Sequence, residues 1–184
     1  MSMDHFHEEI IVKKNRTMQD VVYVISWIMI VVFGILGMVL LTPVINAIAS
    51  GNFDIFSIVL TVVMIGGAVL LYLYKDKLRT EYEYTFTNGD MDFAIVMNNS
   101  KRKALGTMRV KNVEAFGPVR SGAFNRYSTM KDVKISNWFL NRGSELYFFY
   151  FAKEGNKRMI VIEPSEEMVE MIKTYLPRGV YQEH

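Results

Sequence analysis

The side chains that could carry chemistry in this chain of 184 residues are few, and most lie at its ends. The histidines are His5, His7 and His184, and there is no cysteine. That excludes disulfides, thiolate nucleophiles and cysteine-ligated zinc or iron–sulfur sites. Asp4-His5-Phe6-His7-Glu8 supplies metal-capable groups, but two histidines two apart on a terminal tail hold a metal weakly unless a fold presents more ligands. Asp90 and Asp92 share one face of an extended segment, with no partner base and no phosphate-binding loop. Nucleotide-loop, nucleophile-elbow and zinc-helix motifs are all missing. What remains is cationic. Lys101-Arg102-Lys103 is a basic run at a turn, and Arg120, Arg126 and Lys131 sit in a polar stretch from Val119 to Lys131. Such groups attract anionic headgroups, phosphate or acidic peptide. The expectation is a binding protein with no catalytic residue, no cofactor and no metal.

The elements that must position these residues are of two kinds. Val21 to Leu41 and Ile55 to Tyr74 contain no charged residue. Each is about 20 residues, the length of helix that crosses a hydrocarbon core of about 30 Å. Two such runs cannot both be buried in a chain this small, so they read as a transmembrane hairpin. The first is too long for a signal-peptide core and no small-residue cleavage pattern follows it. Lys13, Lys14 and Arg16 precede the first span, and Lys75, Lys77 and Arg79 follow the second. The connection from Thr42 to Asp54 has no Lys or Arg. The positive-inside rule therefore puts both termini in the cytoplasm of a two-span protein in the cell membrane. Tyr23, Trp27, Tyr72 and Tyr74 fall where an aromatic belt meets the cytoplasmic interface. Pro43 suits the end of the first helix, and Gly34, Gly37, Gly66 and Gly67 suit close helix approach.

From Lys75 the period changes to two. Glu81 to Thr87 alternates with its aromatics on one face, Asn88-Gly89 makes a hairpin turn, and Met91, Phe93, Ile95 and Met97 alternate in return. Further strands fit about 103–109, 112–117, 132–138, 145–152 and 157–162. A final amphipathic helix places Met168, Ile172, Tyr175 and Leu176 on one face. Residues 75–184 carry 18 Lys/Arg and 14 Asp/Glu, an ordinary soluble balance. The whole chain, 51% apolar with net charge +2, is neither a basic nucleic-acid binder nor an acidic disordered tail, so no nucleic-acid partner is expected.

Seven strands and a closing helix is the element order of a pleckstrin-homology (PH)-like barrel. Two N-terminal membrane helices, then EYEYTFTNGDMDFAIVMNNSKRKALGTMRVKNVEAFGP, then LYFFYFAKEGNKRMIVIEPSEEMVEMIKTYLP, resemble the bacterial PH-like membrane proteins, closest to a clostridial-type family with two N-terminal spans. The resemblance implies the fold and a bacterial inner-membrane location, and it carries no activity with it. Phosphoinositide-binding PH domains place cations around the first strand–strand loop, which in this reading is the short, acidic-leaning Asn88-Gly89-Asp90. The expected architecture is a membrane α-helical hairpin plus a β-rich (α+β) cytoplasmic domain, a PH-like seven-stranded barrel capped by its C-terminal helix. Its parts are an N-terminal tail (1–20), the hairpin (21–74) and the domain (75–184). The expected role is a membrane-anchored binding or scaffolding module. Beside the bilayer, its expected partner is a protein or further copies of itself. The alternative is sensing of an anionic lipid or small ligand through Lys101, Arg102, Lys103, Arg120, Arg126 and Lys131.

Overall fold

A computed structural model describes residues 5–52 and 54–183, so Asp4 and His184 lie outside the described residues. The chain divides into two compact units. Of the described residues, those within 15–80 and 97–99 form one, and those within 5–14, 81–96 and 100–183 form the other.

The first unit is the helical hairpin. Helix α1 spans Thr17–Ser50 and α2 spans Ile55–Tyr74. Both are long and apolar enough to cross a membrane, and few of their side chains are buried within the protein. The second helix has the expected bounds, while α1 runs nine residues past Leu41. Pro43 sits inside α1 without ending it. Proline removes one ladder donor, which long apolar helices tolerate, and the left-handed Gly51 (φ 72°) supplies the stop. Asp54 caps α2, its carboxylate accepting the Phe56 N–H at 3.1 Å and the Ser57 hydroxyl. Two of the four glycines set the helix contact. A Cβ on Gly37 would stand 2.7 Å from Ile65 Cγ1, and one on Gly67 would stand 3.0 Å from the Phe33 ring. Gly34 and Gly66 face open space.

The second unit corrects the expected barrel. Its strands are β1 (Phe6–Ile11), β2 (Thr80–Thr87), β3 (Asp90–Met97), β4 (Lys101–Arg109), β5 (Ala115–Pro118), β6 (Lys134–Trp138), β7 (Tyr147–Lys153) and β8 (Asn156–Ile162). They form two four-stranded sheets, β1-β2-β3-β4 and β5-β7-β8-β6, and neither closes into a barrel. Eight strands replace the expected seven because residues 6–11, read above as tail, pair antiparallel with β2 from Phe6↔Thr87 to Ile11↔Tyr82. Closure would need β4 to bond a strand of the second sheet. Instead β4 opens with three adjacent cations, a sequence that resists edge pairing.

The new strand also relocates the first inter-strand connection. It is not Asn88-Gly89-Asp90 but residues 12–79, the whole helical hairpin. The chain leaves β1 along a fixed path. Buried Glu163 accepts the Asn141 N–H at 2.9 Å and its amide at 2.8 Å. Asn141 then donates to the Val12 carbonyl at 2.9 Å and accepts the Lys14 N–H at 2.8 Å.

The main core lies between the sheets and under helix α4 (Glu166–Tyr175). Tyr84, Phe86, Met91, Phe116, Phe149, Met168 and Ile172 are fully buried there. Burying each such side chain contributes about 1.5–3 kcal/mol. Ser165 caps α4 through its hydroxyl, which accepts the Met168 N–H at 3.2 Å, so Pro164 stands one place before the cap. A second cluster occupies the other face of the second sheet. There Phe148, Tyr150, Met159 and Val161 are covered by helix α3 (Gly122–Ser128) through Ala123, Phe124 and Tyr127. The stretch 119–131, expected as a loop, thus contains a short helix capped by Ser121. Burial on both faces explains why β7 is nearly all apolar.

Two outcomes follow. The Tyr84 hydroxyl donates to the Trp138 carbonyl and accepts the Glu163 N–H at 3.3 Å. Tyr84→Phe strands both buried groups and costs about 1–3 kcal/mol, read as a lowered thermal midpoint of the full chain in detergent. Because Ile11 and Tyr82 are ladder partners, joining Val12 to Glu81 through an Asn-Gly turn should give a soluble, cooperatively melting domain. Residues 79–184 alone, without β1, should aggregate, which light scattering would register.

Candidate functional site

The aromatics expected at the interface converge, and they do so around a lysine. Tyr23 and Trp27 lie one turn apart on α1, Tyr72 lies in the last turn of α2, and a 3-10 turn (Lys75–Arg79) follows. Lys75 is buried, 7% exposed, with Nζ 2.9 Å from Asp76 Oδ1. That ammonium stands 4.7 Å from the Trp27 ring centre, 4.8 Å from Tyr72 and 5.9 Å from Tyr23. Desolvated contacts of this kind contribute up to about 2 kcal/mol. Trp27 and Tyr72 meet edge to face at 6.4 Å. The Arg79 guanidinium covers Tyr23 at 4.0 Å and pairs with Asp20 at 2.8 Å. Tyr74 stays apart, under Lys77 at 4.2 Å.

Asn98 completes this cluster. It takes the left-handed conformation (φ 50°) and donates its amide to the Tyr23 hydroxyl and to Asp76, both at 3.2 Å. Its N–H donates to the Arg79 carbonyl at 2.7 Å. In the sequence only the paired asparagines of a turn hint at this. Lys75 read there as one flank charge among three. With Lys75 matched to Asp76 and Arg79 to Asp20, the cluster neutralises its own charge. Its contacts join α1, α2 and the turn that follows at the base of the hairpin.

The six cations expected to bind do not converge. Lys101, Arg102 and Lys103 open β4 and are not in the turn before it. The Arg102 guanidinium clasps Glu83, with Nε 3.0 Å from Oε2 and a second bond alongside. Arg120 pairs with Glu145 at the surface. Arg126, on α3, donates to the Tyr127 hydroxyl at 3.0 Å and lies over that ring. Lys131 is exposed beyond the end of α3. Asp92 accepts the Thr107 hydroxyl and Asp90 stands 3.7 Å from Arg109, so both acids bridge to β4.

The N-terminal histidines belong to the fold. His5 Nδ1 is 2.9 Å from the Tyr175 hydroxyl, and His7 lies between Glu9 (3.8 Å) and Glu167 (3.6 Å). The Glu9 carboxylate accepts the Ser165 N–H at 3.1 Å. Burial pushes the Glu9 carboxyl above its ordinary value, and the bond from Ser165 opposes that rise. These contacts fasten β1 to the start of α4. Among the described residues no three metal-capable side chains converge. The sequence carried little signal for this strand, because its inward face bears His5, His7 and Glu9 while Phe6 and Ile10 are exposed, and the apolar helix that follows dominates the pattern.

Residues 3–182 match the family described as "Bacterial PH-like domain (DUF6106)". No curated protein and no solved structure matches the chain. With nearly the full length covered, and two sheets and a terminal helix preceded by two long apolar helices, the chain belongs to this family of bacterial PH-like domains.

Proposed function

We propose that this chain is a non-catalytic docking module, a PH-like domain held at the cytoplasmic face of a bacterial membrane, where it engages a protein partner or further copies of itself. The observation that carries this reading is the splice of the apolar hairpin between two hydrogen-bonded strands. Strands β1 and β2 belong to one sheet, which supports both ends of the hairpin lying on the same side of the bilayer. The cations agree, with Lys13, Lys14 and Arg16 on one flank, Lys75, Lys77 and Arg79 on the other, and none between Thr42 and Asp54. Cleavage after the first helix would remove a strand from the sheet, which weighs against a signal peptide.

The first inter-strand connection is where phosphoinositide-binding PH domains carry their cations. In this chain the hairpin takes that place. Attachment by two helices makes lipid recognition unnecessary for reaching the membrane, and leaves the surface of the domain for protein contacts.

The cysteine-free sequence allows a direct test of orientation. In intact cells an impermeant maleimide should label Asn52→Cys and spare Lys131→Cys, with both labelled after lysis. The reverse pattern would overturn the orientation. For the docking role, the full chain extracted at native expression in mild detergent should carry a second protein or a self-multimer through cross-linking and mass spectrometry. Recovery of the monomer alone under every cross-linker would count against it.

A further inference from the structure

The two open sheets leave edges, and they are not equally exposed. The free edge of β5 is covered by the C-terminal segment. The Phe116 N–H donates to the Val180 carbonyl at 3.1 Å and the Gln182 N–H donates to the Phe116 carbonyl at 2.8 Å. The approach is so close that a Cβ on Gly117 would stand 2.3 Å from the Gln182 carbonyl oxygen. Among the described residues no strand pairs on the outer side of β4 or β6. Each is the last strand of its sheet, and neither bonds the other. Between them runs a slot lined by Phe93, Leu105, Trp138, Phe151, Ile160 and Arg158.

The charge of this slot is one-sided, for its lining includes Lys153 and Arg158 and no acid. The strands β4 (KRKALGTMR), β6 (KISNW) and β8 (NKRMIVI) around it hold seven cations and no acid, and Arg102 and Arg109 among them meet Glu83 and Asp90 of the neighbouring strands. Lys134 and Arg158 are direct partners in the parallel β6–β8 ladder, which sets two like charges side by side. Like charges directly opposite are destabilising unless an anion joins them. Arg158 Nε is buried with no hydrogen-bond partner. A stranded donor of a guanidinium is a costly group to keep in a fold, and a carboxylate is its natural complement.

We propose that the slot between β4 and β6 receives an extended acidic segment of a partner protein, which pairs through its backbone with the free edge of β4 and presents a carboxylate to Arg158. Backbone pairing supplies affinity, and the alternate side chains enter the apolar floor. A second copy of β4 is a poor occupant. Antiparallel self-pairing centred on Leu105 would set Lys101 opposite Arg109. A lipid headgroup satisfies the charge but has no backbone to pair with the edge. The inference rests on the docking role proposed above and gives that role a site and a partner chemistry.

The test uses the full chain in nanodiscs of phosphatidylcholine, with three fluorescein-labelled heptapeptides read by anisotropy. One carries Val, Glu and Val at alternate positions with Thr between them, so that Glu and Val share one face; one has Lys in place of that Glu; and one replaces each Thr of the first with Pro. Only the Glu/Val peptide should bind, because the Pro peptide keeps the charge but cannot form the ladder. Arg158→Met should weaken binding by at least about ten-fold, the loss of a charge-assisted bond, while the thermal midpoint stays level or rises. Lys103→Glu, at an exposed position, should weaken binding by repulsion and serves if the first variant misfolds. Equal binding of the Pro peptide, or no binding of any peptide, would overturn the proposal. Protection of Lys103 and Lys134 from amine-reactive label only in phosphatidylglycerol discs, without peptide binding, would assign these strands to the membrane. Self-association that survives in place of peptide binding would assign them to a second copy. If the peptide fails while co-purification yields a partner, the slot is wrong and the docking role stands.

Discussion

One ladder governs this molecule. Strand β1 must pair with β2 although the entire helical hairpin lies between them in sequence. Closing so long a loop costs little more than closing a moderate one, because the entropy grows only with the logarithm of length. The pairing must still be secured by more than its own hydrogen bonds, since β1 is a terminal edge strand. Glu9 on the Ser165 N–H, His5 on Tyr175 and the Glu163–Asn141 hub on Val12 and Lys14 provide that security. Each ties β1 or its exit to residues more than a hundred positions away. The N-terminal residues are therefore a structural part of the domain, and the hairpin is an insertion in it.

The sequence made the hairpin legible because a charge-free apolar run of membrane length has few other readings. It also revealed most of the strands, since period two survives wherever one face is buried and the other wet. The places where it misled have physical causes. β1 is short, carries His and Glu on its inner face, and adjoins a helix whose signal dominates any window. The stretch 119–131 looked irregular because α3 is only seven residues long and owes its helicity to the apolar face it covers. Barrel closure was an inference from element order, and element order does not say which edges bond. The aromatic belt was visible as composition, but the buried Lys75 at its centre was not, because burial of a lysine depends on an acid and three rings meeting in space.

The two clusters of charge differ in how they are matched. At the hairpin base Lys75 and Arg79 pair with Asp76 and Asp20, and Asn98 adds hydrogen bonds to the set, while the buried Arg79 Nε has no hydrogen-bond partner. Along β4, β6 and β8 there is no acid, and the acids that meet Arg102 and Arg109 come from the neighbouring β2 and β3. The domain is net positive because of these strands and the flanks, and a uniform average over the chain conceals the contrast.

The unequal helices carry a mechanical consequence. At about 1.5 Å per residue, the 34 residues of α1 extend well past a hydrocarbon core of about 30 Å, while the 20 residues of α2 just match it. For the proposed transmembrane hairpin, a thicker bilayer would draw in more of α1, whose apolar residues continue beyond Pro43 through Val44, Ile45, Ala47 and Ile48. It finds no further apolar length in α2, which is bounded by Asp54 at one end and by Lys75 at the other. Hydrophobic mismatch therefore falls on the shorter helix, at a modest cost per ångström. In the membrane placement proposed above, that cost would be felt at the lysine enclosed by Trp27 and Tyr72, which would tie the stability of this base to the thickness of the surrounding lipid.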